Sequence, residues 1–409
     1  VADLWDLIRA HEAWRREATI NLQPSENVLS DATRALLATD LAGRYSLPGY
    51  ESPWGDRGNA YRGTRYTDAI ESLGESLARE VFSAAQATLK PLSGHLAGFL
   101  LLQASCRRGG RILILHPDHG GYEGYTPGFL PQYLGLEVGY LPFDPSAGNI
   151  DGRSSADMIR DVKPDLVLLG AIQILFPYPL GEVRAACDDV NAVLGYDASH
   201  VLGLVAGGVF QRPMVEGTDV LSASTHKSFP GPQGGVLLAN RLDVFERAVA
   251  GITWHIEDNA HWNRIAATAH VLREMKAFGP AYADQVVRNA KALAAHLDQK
   301  GFPVQFRSHG YTESHQVVYD RSVLRDGWDL TPHAFADRLE RNNLIVDAVG
   351  RLGTAEVTRW GAKEADMARI AELIVRAAHG EDVQRDVAEV RAPLRLAYVL
   401  EANDLAKGH

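Results

Sequence analysis

Cysteine is nearly absent: Cys106 and Cys187 are the two in 409 residues. Two thiols exclude a disulfide scaffold, they lack metal-ligand spacing, and the expected setting is a reducing cytoplasm. No apolar run reaches the roughly 20 residues that cross a bilayer, and no signal-peptide pattern opens the chain, which starts at Val1 and leaves an earlier leader open. Basic residues are outnumbered. Against 51 Asp and Glu stand 41 Lys and Arg, a formal charge of −10 that argues against a nucleic-acid binder or an anchor on an anionic membrane. Small-molecule chemistry is the default. Repeats and low-complexity segments are missing, and 46% apolar with 22% charged residues is ordinary globular composition, long enough for two domains.

What is present centres on Lys227. It sits in Ser224-Thr-His-Lys-Ser-Phe-Pro-Gly-Pro-Gln-Gly-Gly235, between the apolar runs Val220–Ala223 and Val236–Ala239, which read as buried strands. Glycines and prolines hold the intervening backbone in tight turns. A lysine at such a strand end is placed for desolvation, which lowers its pKa and suits it to Schiff-base formation. An arbitrary lysine in a Gly/Pro loop is more often a surface residue; a second strand end changes the weighting. Gly195-Tyr-Asp-Ala-Ser-His200 closes the run Ala192–Leu194. Asp197 and Lys227 at strand ends form the pairing that pyridoxal 5′-phosphate (PLP) requires, carboxylate for the ring nitrogen and amine for the aldehyde.

Further strands read at Arg111–Leu115 and Leu166–Gly170, alternating with helices at the pitch of βαβ units and a mostly parallel sheet. Ligands gather outside the carboxyl ends of such strands, where His119, Gln173, Asp197, His200 and Lys227 all fall. Ser93-Gly94-His95 opens an apolar helix running to about Cys106, and free amides at a helix start favour a phosphate. A helix before this one is also expected from Ile70, Leu73, Leu77 and Val81. His116, Asp118 and His119 do not have zinc spacing, so no metal is expected. Residues 3–16 read as an amphipathic helix, Gly43–Gly63 as a long structured loop, and Arg57, Arg62 and Arg65 as either a positive rim or solvated charges.

Thr-His-Lys with Gly-Pro-Gln-Gly-Gly, preceded by Tyr-Asp-Ala-Ser-His-Val-Leu-Gly-Leu, resembles the serine hydroxymethyltransferase group of fold-type I PLP enzymes, from Ser25-Glu-Asn27 to Arg351-Leu-Gly-Thr354. Phe-Pro-Gly-Pro-Gln and Gly310-Tyr-Thr-Glu-Ser-His-Gln-Val317 are most similar to the threonine transaldolase branch. The resemblance implies an aspartate aminotransferase-like α/β fold: an arm at 1–30, a large PLP domain at 31–258 with a mostly parallel sheet, and a smaller α+β domain at 259–409.

It also implies roles. Lys227 would carry PLP, Asp197 would meet its ring nitrogen, and His119 would stack on its face, with Tyr122 in place of a second family histidine. Ser93, Gly94, His95, Ser224, Gln173, His200 and Tyr45 complete the cofactor set. Arg351 and Ser25 would hold the substrate carboxylate, with Tyr61 beside them, and His200, His226 or a water would act as base. Tyr45 and Tyr61 match residues lent to a neighbouring subunit, implying a homodimer or dimer of dimers. Residues 254–263 replace a glycine-rich loop of the family.

The family's folate-linked glutamate falls near Leu47 or Pro48, with Glu51 as a substitute. Four residues separate Val346 from Arg351, where folate-using relatives carry a longer loop. The expected activity is folate-independent cleavage of the Cα–Cβ bond of β-hydroxy-amino acids, as an aldolase or as a transaldolase that passes a glycyl carbanion to an aldehyde. Alternatives are a folate-dependent hydroxymethyltransferase, a PLP racemase and a non-catalytic PLP-fold protein.

Overall fold

The computed structural model describes residues 3–47, 50–253 and 255–400; Pro48 and Trp254, both invoked above, lie outside them. The chain divides into two compact units. Leu29–Pro280 make up the larger, and Val1–Val28 with Ala281–Tyr398 the smaller, a division that differs from the expected arm, 31–258 and 259–409. Two features account for it. The strand Ile20–Asn21 pairs in parallel with Leu344–Ile345, tying the arm to the C-terminal residues. Position 258 lies between the helices Leu242–Ala250 and Trp262–Gln299, and the division falls instead at Pro280, within the second of them.

The larger unit is built on seven strands. Their order across the sheet is Gln86–Thr88, Gly235–Ala239, Val220–Ser224, Val193–Asp197, Leu166–Gly170, Arg111–Ile114 and Glu137–Tyr140. Gly235–Ala239 runs antiparallel to both its neighbours, and the pairs from Val220–Ser224 to Glu137–Tyr140 are parallel. The four strands from Leu166 to Ala239 are buried at every residue, as expected of strands covered on both faces. Leu101, Ile112, Leu168, Val193 and Val220 are among the residues that fill this core.

The Arg65–Phe82 helix forms, but its inward face is offset from the expected stripe. Thr67, Glu71, Gly74, Leu77, Ala78 and Phe82 are buried, while Leu73 is 53% exposed. Glu71 is tolerated on the inner face because Lys90 pairs with it at 2.7 Å. In the smaller unit, Gln316–Val318 pairs antiparallel with Arg351–Gly353 over a core that includes Leu293, Leu297, Phe335, Ile370 and Leu373. Among the described residues no helix is long and apolar enough to cross a membrane.

Candidate active site

Three adjacent strands deliver the site from their carboxyl ends. Leu166–Gly170 leads into Ala171 and Ile172, Val193–Asp197 into Ser199 and His200, and Val220–Ser224 into His226 and Lys227; all of these residues line one cavity of about 220 Å³ together with Ser93, Gly94, His95 and Tyr122. The loop carrying Lys227 is folded back on itself by bonds that its composition dictates. Thr225 N–H donates to Gly234 O at 3.1 Å, Gly231 N–H to Thr225 O at 2.9 Å, and the Thr225 hydroxyl to Pro232 O at 2.7 Å. Lys227 is thereby held half-buried three residues beyond its strand. The strand ends are stitched together, since Ser224 N–H donates to Ser199 Oγ at 3.0 Å.

Asp197 is buried, 7% exposed. Its carboxylate accepts two hydrogen bonds, from Ser199 N–H to Oδ1 at 2.9 Å and from the Tyr125 hydroxyl to Oδ2 at 2.6 Å. Opposite, Ser93 caps the Gly94–Ser105 helix, its Oγ accepting Leu96 N–H at 3.1 Å. Gly94 lies so close to the end of the Val220–Ser224 strand that a Cβ on it would fall 2.7 Å from Ser224 N and Cβ. The helix start therefore borders the strand end that leads to Lys227 without a side chain between them.

This donor set fits PLP: an amine, a buried carboxylate with two donors, and a helix N-terminus whose amides and dipole favour an anion. Lys227, Asp197, His200, His226, Ser93, Gly94, His95 and Ser224 come together in the cavity as expected. His119 and Gln173 do not line it. The His119 ring stacks on Phe143, centroids 4.4 Å apart and planes within 4°, because the turn Pro117–His119 ends at Gly120 with φ +81° and the reversal carries Tyr122 inward instead. Gln173 packs at that same turn, its N–H directed to Gly120 O at 3.4 Å, and Ala171 and Ile172 occupy the wall.

Tyr45 and Tyr61 pack on one another, ring centroids 4.7 Å apart, and lie outside the cavity lining. The Tyr45 hydroxyl bonds Asp258, which pushes its pKa up to about 12. Glu51 is on a short exposed hairpin, paired with Arg57 at 2.8 Å. Arg62 donates to Asn59 O, and Arg65 lies over Tyr66. Ser25 and Arg351 belong to the smaller unit, where Arg351 is 5% exposed and its Nε donates to Asp347 Oδ2 at 2.8 Å. Sequence reasoning passed over Ser199, Ala171 and Ile172 as wall residues, and Tyr125 altogether.

A mostly parallel seven-stranded sheet with one antiparallel strand, and a lysine and an aspartate at neighbouring strand ends, define the fold-type I class of PLP-dependent enzymes. Within it, the model of the serine hydroxymethyltransferase family matches residues 2–374, and the chain belongs to that family; PLP is its cofactor. It is 36% identical to a serine hydroxymethyltransferase of Methanothermobacter thermautotrophicus, over 98% of this chain and 96% of the relative. With that of Pyrococcus furiosus it shares 37% identity over 91% and 89%. Among solved structures it is similar to the L-threonine transaldolase from Pseudomonas fluorescens in its internal aldimine state, with a TM-score of 0.87 and 27% identity, covering 98% of this chain and 95% of that one.

Proposed function

We propose that this enzyme cleaves the Cα–Cβ bond of β-hydroxy-amino acids without folate and passes the glycyl unit to an aldehyde. The observation that carries the reading is the turn between Ile345 and Arg351. Val349 N–H donates to Asp347 Oδ1 at 2.9 Å and Arg351 Nε donates to Asp347 Oδ2 at 2.8 Å, so one carboxylate ties the whole turn down. Folate-using relatives carry a longer loop here, and a turn of this length offers no segment to reach a pterin. Glu51, held by Arg57 on the exposed hairpin, gives no support for a folate-linked glutamate.

PLP, when bound, supplies the electron sink for the bond broken at the α-carbon. Lys227 offers the amine that would hold the cofactor aldehyde, and Asp197, whose oxygens accept from Ser199 N–H and the Tyr125 hydroxyl, would face the ring nitrogen. The start of the Gly94–Ser105 helix would take the phosphate. Tyr122, which lines the cavity where His119 does not, would be the aromatic against the ring. Three imidazoles line the cavity, those of His95, His200 and His226, and His200 or His226 would take the β-hydroxyl proton as the aldehyde leaves. Arg351 and Ser25 are assigned to the substrate carboxylate by their motifs, a bidentate task suited to guanidinium. A second copy of the chain would cover the N-terminal helix, where Leu4, Trp5, Leu7 and Ile8 are exposed.

The test is a product assay with L-threonine, PLP and a trial aldehyde in the absence of folate. A new β-hydroxy-amino acid with release of acetaldehyde supports the reading; no product from any aldehyde tried sinks the transfer step. A second reading, folate-dependent serine hydroxymethyl transfer, is favoured by the names of the relatives that are 36% and 37% identical.

A further inference from the structure

The least accessible part of the site lies behind Asp197. Tyr125 is 2% exposed, is not part of the cavity wall, and reaches the carboxylate alongside the Gly94–Ser105 helix. Its hydroxyl passes so close to Gly98 of that helix that a Cβ there would fall 2.3 Å from the oxygen. Any larger residue at 98 would displace it. Burial first, and then the Asp197 charge, push the Tyr125 pKa well above the usual tyrosine value, so the hydroxyl keeps its proton and acts as a donor. Ser199 N–H occupies Oδ1 at 2.9 Å and Tyr125 occupies Oδ2 at 2.6 Å.

We propose that Tyr125 is a positioning residue that fixes the Asp197 carboxylate and engages one of its oxygens, so that the proton shared with the cofactor ring stays on the ring nitrogen. The proposal rests on the reading of Asp197 as the partner of that nitrogen. A hydrogen bond to the ionised form of a carboxyl group stabilises that form. In a dry site it discriminates strongly between the carboxylate, which accepts it well, and the neutral acid. Without Tyr125 the carboxylate keeps only the Ser199 donor. The proton then moves toward Asp197, and the equilibrium ratio of nitrogen-held to oxygen-held proton falls by about tenfold or more. No bond is broken in this step other than the one to the shared proton.

The experiment is nuclear magnetic resonance of the holoenzyme loaded with PLP labelled with nitrogen-15 in the ring, comparing wild type with Tyr125→Phe. The expected result is a wild-type nitrogen resonance at the protonated-pyridine position. In the variant it moves toward the unprotonated position, and the resonance of the bridging proton moves with it. Unmoved resonances in a folded, loaded variant overturn the proposal. A packing role alone would lower the melting temperature of the cofactor-free protein and leave both resonances in place. If Tyr125→Phe does not fold, Gly98→Ala, which crowds the same hydroxyl, must shift the resonances in the same direction. A wild-type nitrogen already unprotonated would instead remove the reading of Asp197, and Tyr125 with it.

Discussion

The Tyr122 hydroxyl and His95 Nδ1 lie 2.9 Å apart, joining the turn after Gly120 to the first turn of the Gly94–Ser105 helix. Their rings meet edge to face, with centroids 6.0 Å apart. Burial, with Asp197 and Glu123 adding to it, raises the Tyr122 pKa, so the phenol stays protonated at neutral pH. One hydrogen bond thus links the residue proposed for the cofactor face to the helix start proposed for the phosphate.

Tyr122→Phe should weaken PLP binding by about two- to tenfold, the value of one neutral hydrogen bond. His119→Ala should leave cofactor affinity within about twofold and cost about 1 kcal/mol of stability from the lost stack on Phe143. Titration of the cofactor-free proteins with PLP checks both. A larger loss of affinity in His119→Ala than in Tyr122→Phe would restore the histidine to the ring.

Arg351→Lys should raise KM for the amino acid by about tenfold or more, because an ammonium cannot reproduce the two parallel bonds of a guanidinium. PLP affinity should not change. Steady-state kinetics over a range of threonine concentrations, paired with the same cofactor titration, reads the split. An unaltered KM would take Arg351 out of substrate binding.

Glu356 gives the fold a pH dependence unconnected with catalysis. It is 8% exposed, and burial lifts its pKa to about 7; Glu26 acts in the same direction, while Asn21 and Arg15 oppose it. Asn21 Nδ2 donates to it at 2.7 Å and also to Glu26, 2.9 Å away. Because the folded pKa lies above the unfolded value, the folded state binds more protons between them. Stability therefore falls as pH rises from about 4.5 to about 7. Relative to wild type, Glu356→Gln should gain about 3 kcal/mol across that window, read from denaturant midpoints at pH 5 and pH 8. Parallel midpoints for the two proteins would contradict it.

Much of this was legible in the sequence because strand runs and their polar ends are local signals. The runs ending at Gly170, Asp197 and Ser224 announced the sheet and placed Asp197, His200 and Lys227 together, and Ser93-Gly94 marked the helix start. What escaped depends on turns and on distant pairs. The stack of His119 on Phe143 and the place of Tyr122 at the wall follow from the reversal at Gly120; the Gly120-Gly121 pair was the available clue. Tyr125 meets Asp197 across 72 positions, and no periodicity encodes such a contact. The Leu73 stripe failed because a Glu71–Lys90 pair makes a charged residue acceptable on the inner face of its helix.

The central claim is independence from folate, and the most direct measurement is the rate of serine and threonine cleavage by the PLP-loaded protein with and without tetrahydrofolate. The tied turn at Asp347–Arg351 predicts aldehyde release from threonine in its absence and no acceleration of serine cleavage when it is added. Serine cleavage that begins only with tetrahydrofolate would contradict the account and make the protein a hydroxymethyltransferase in activity as well as in family.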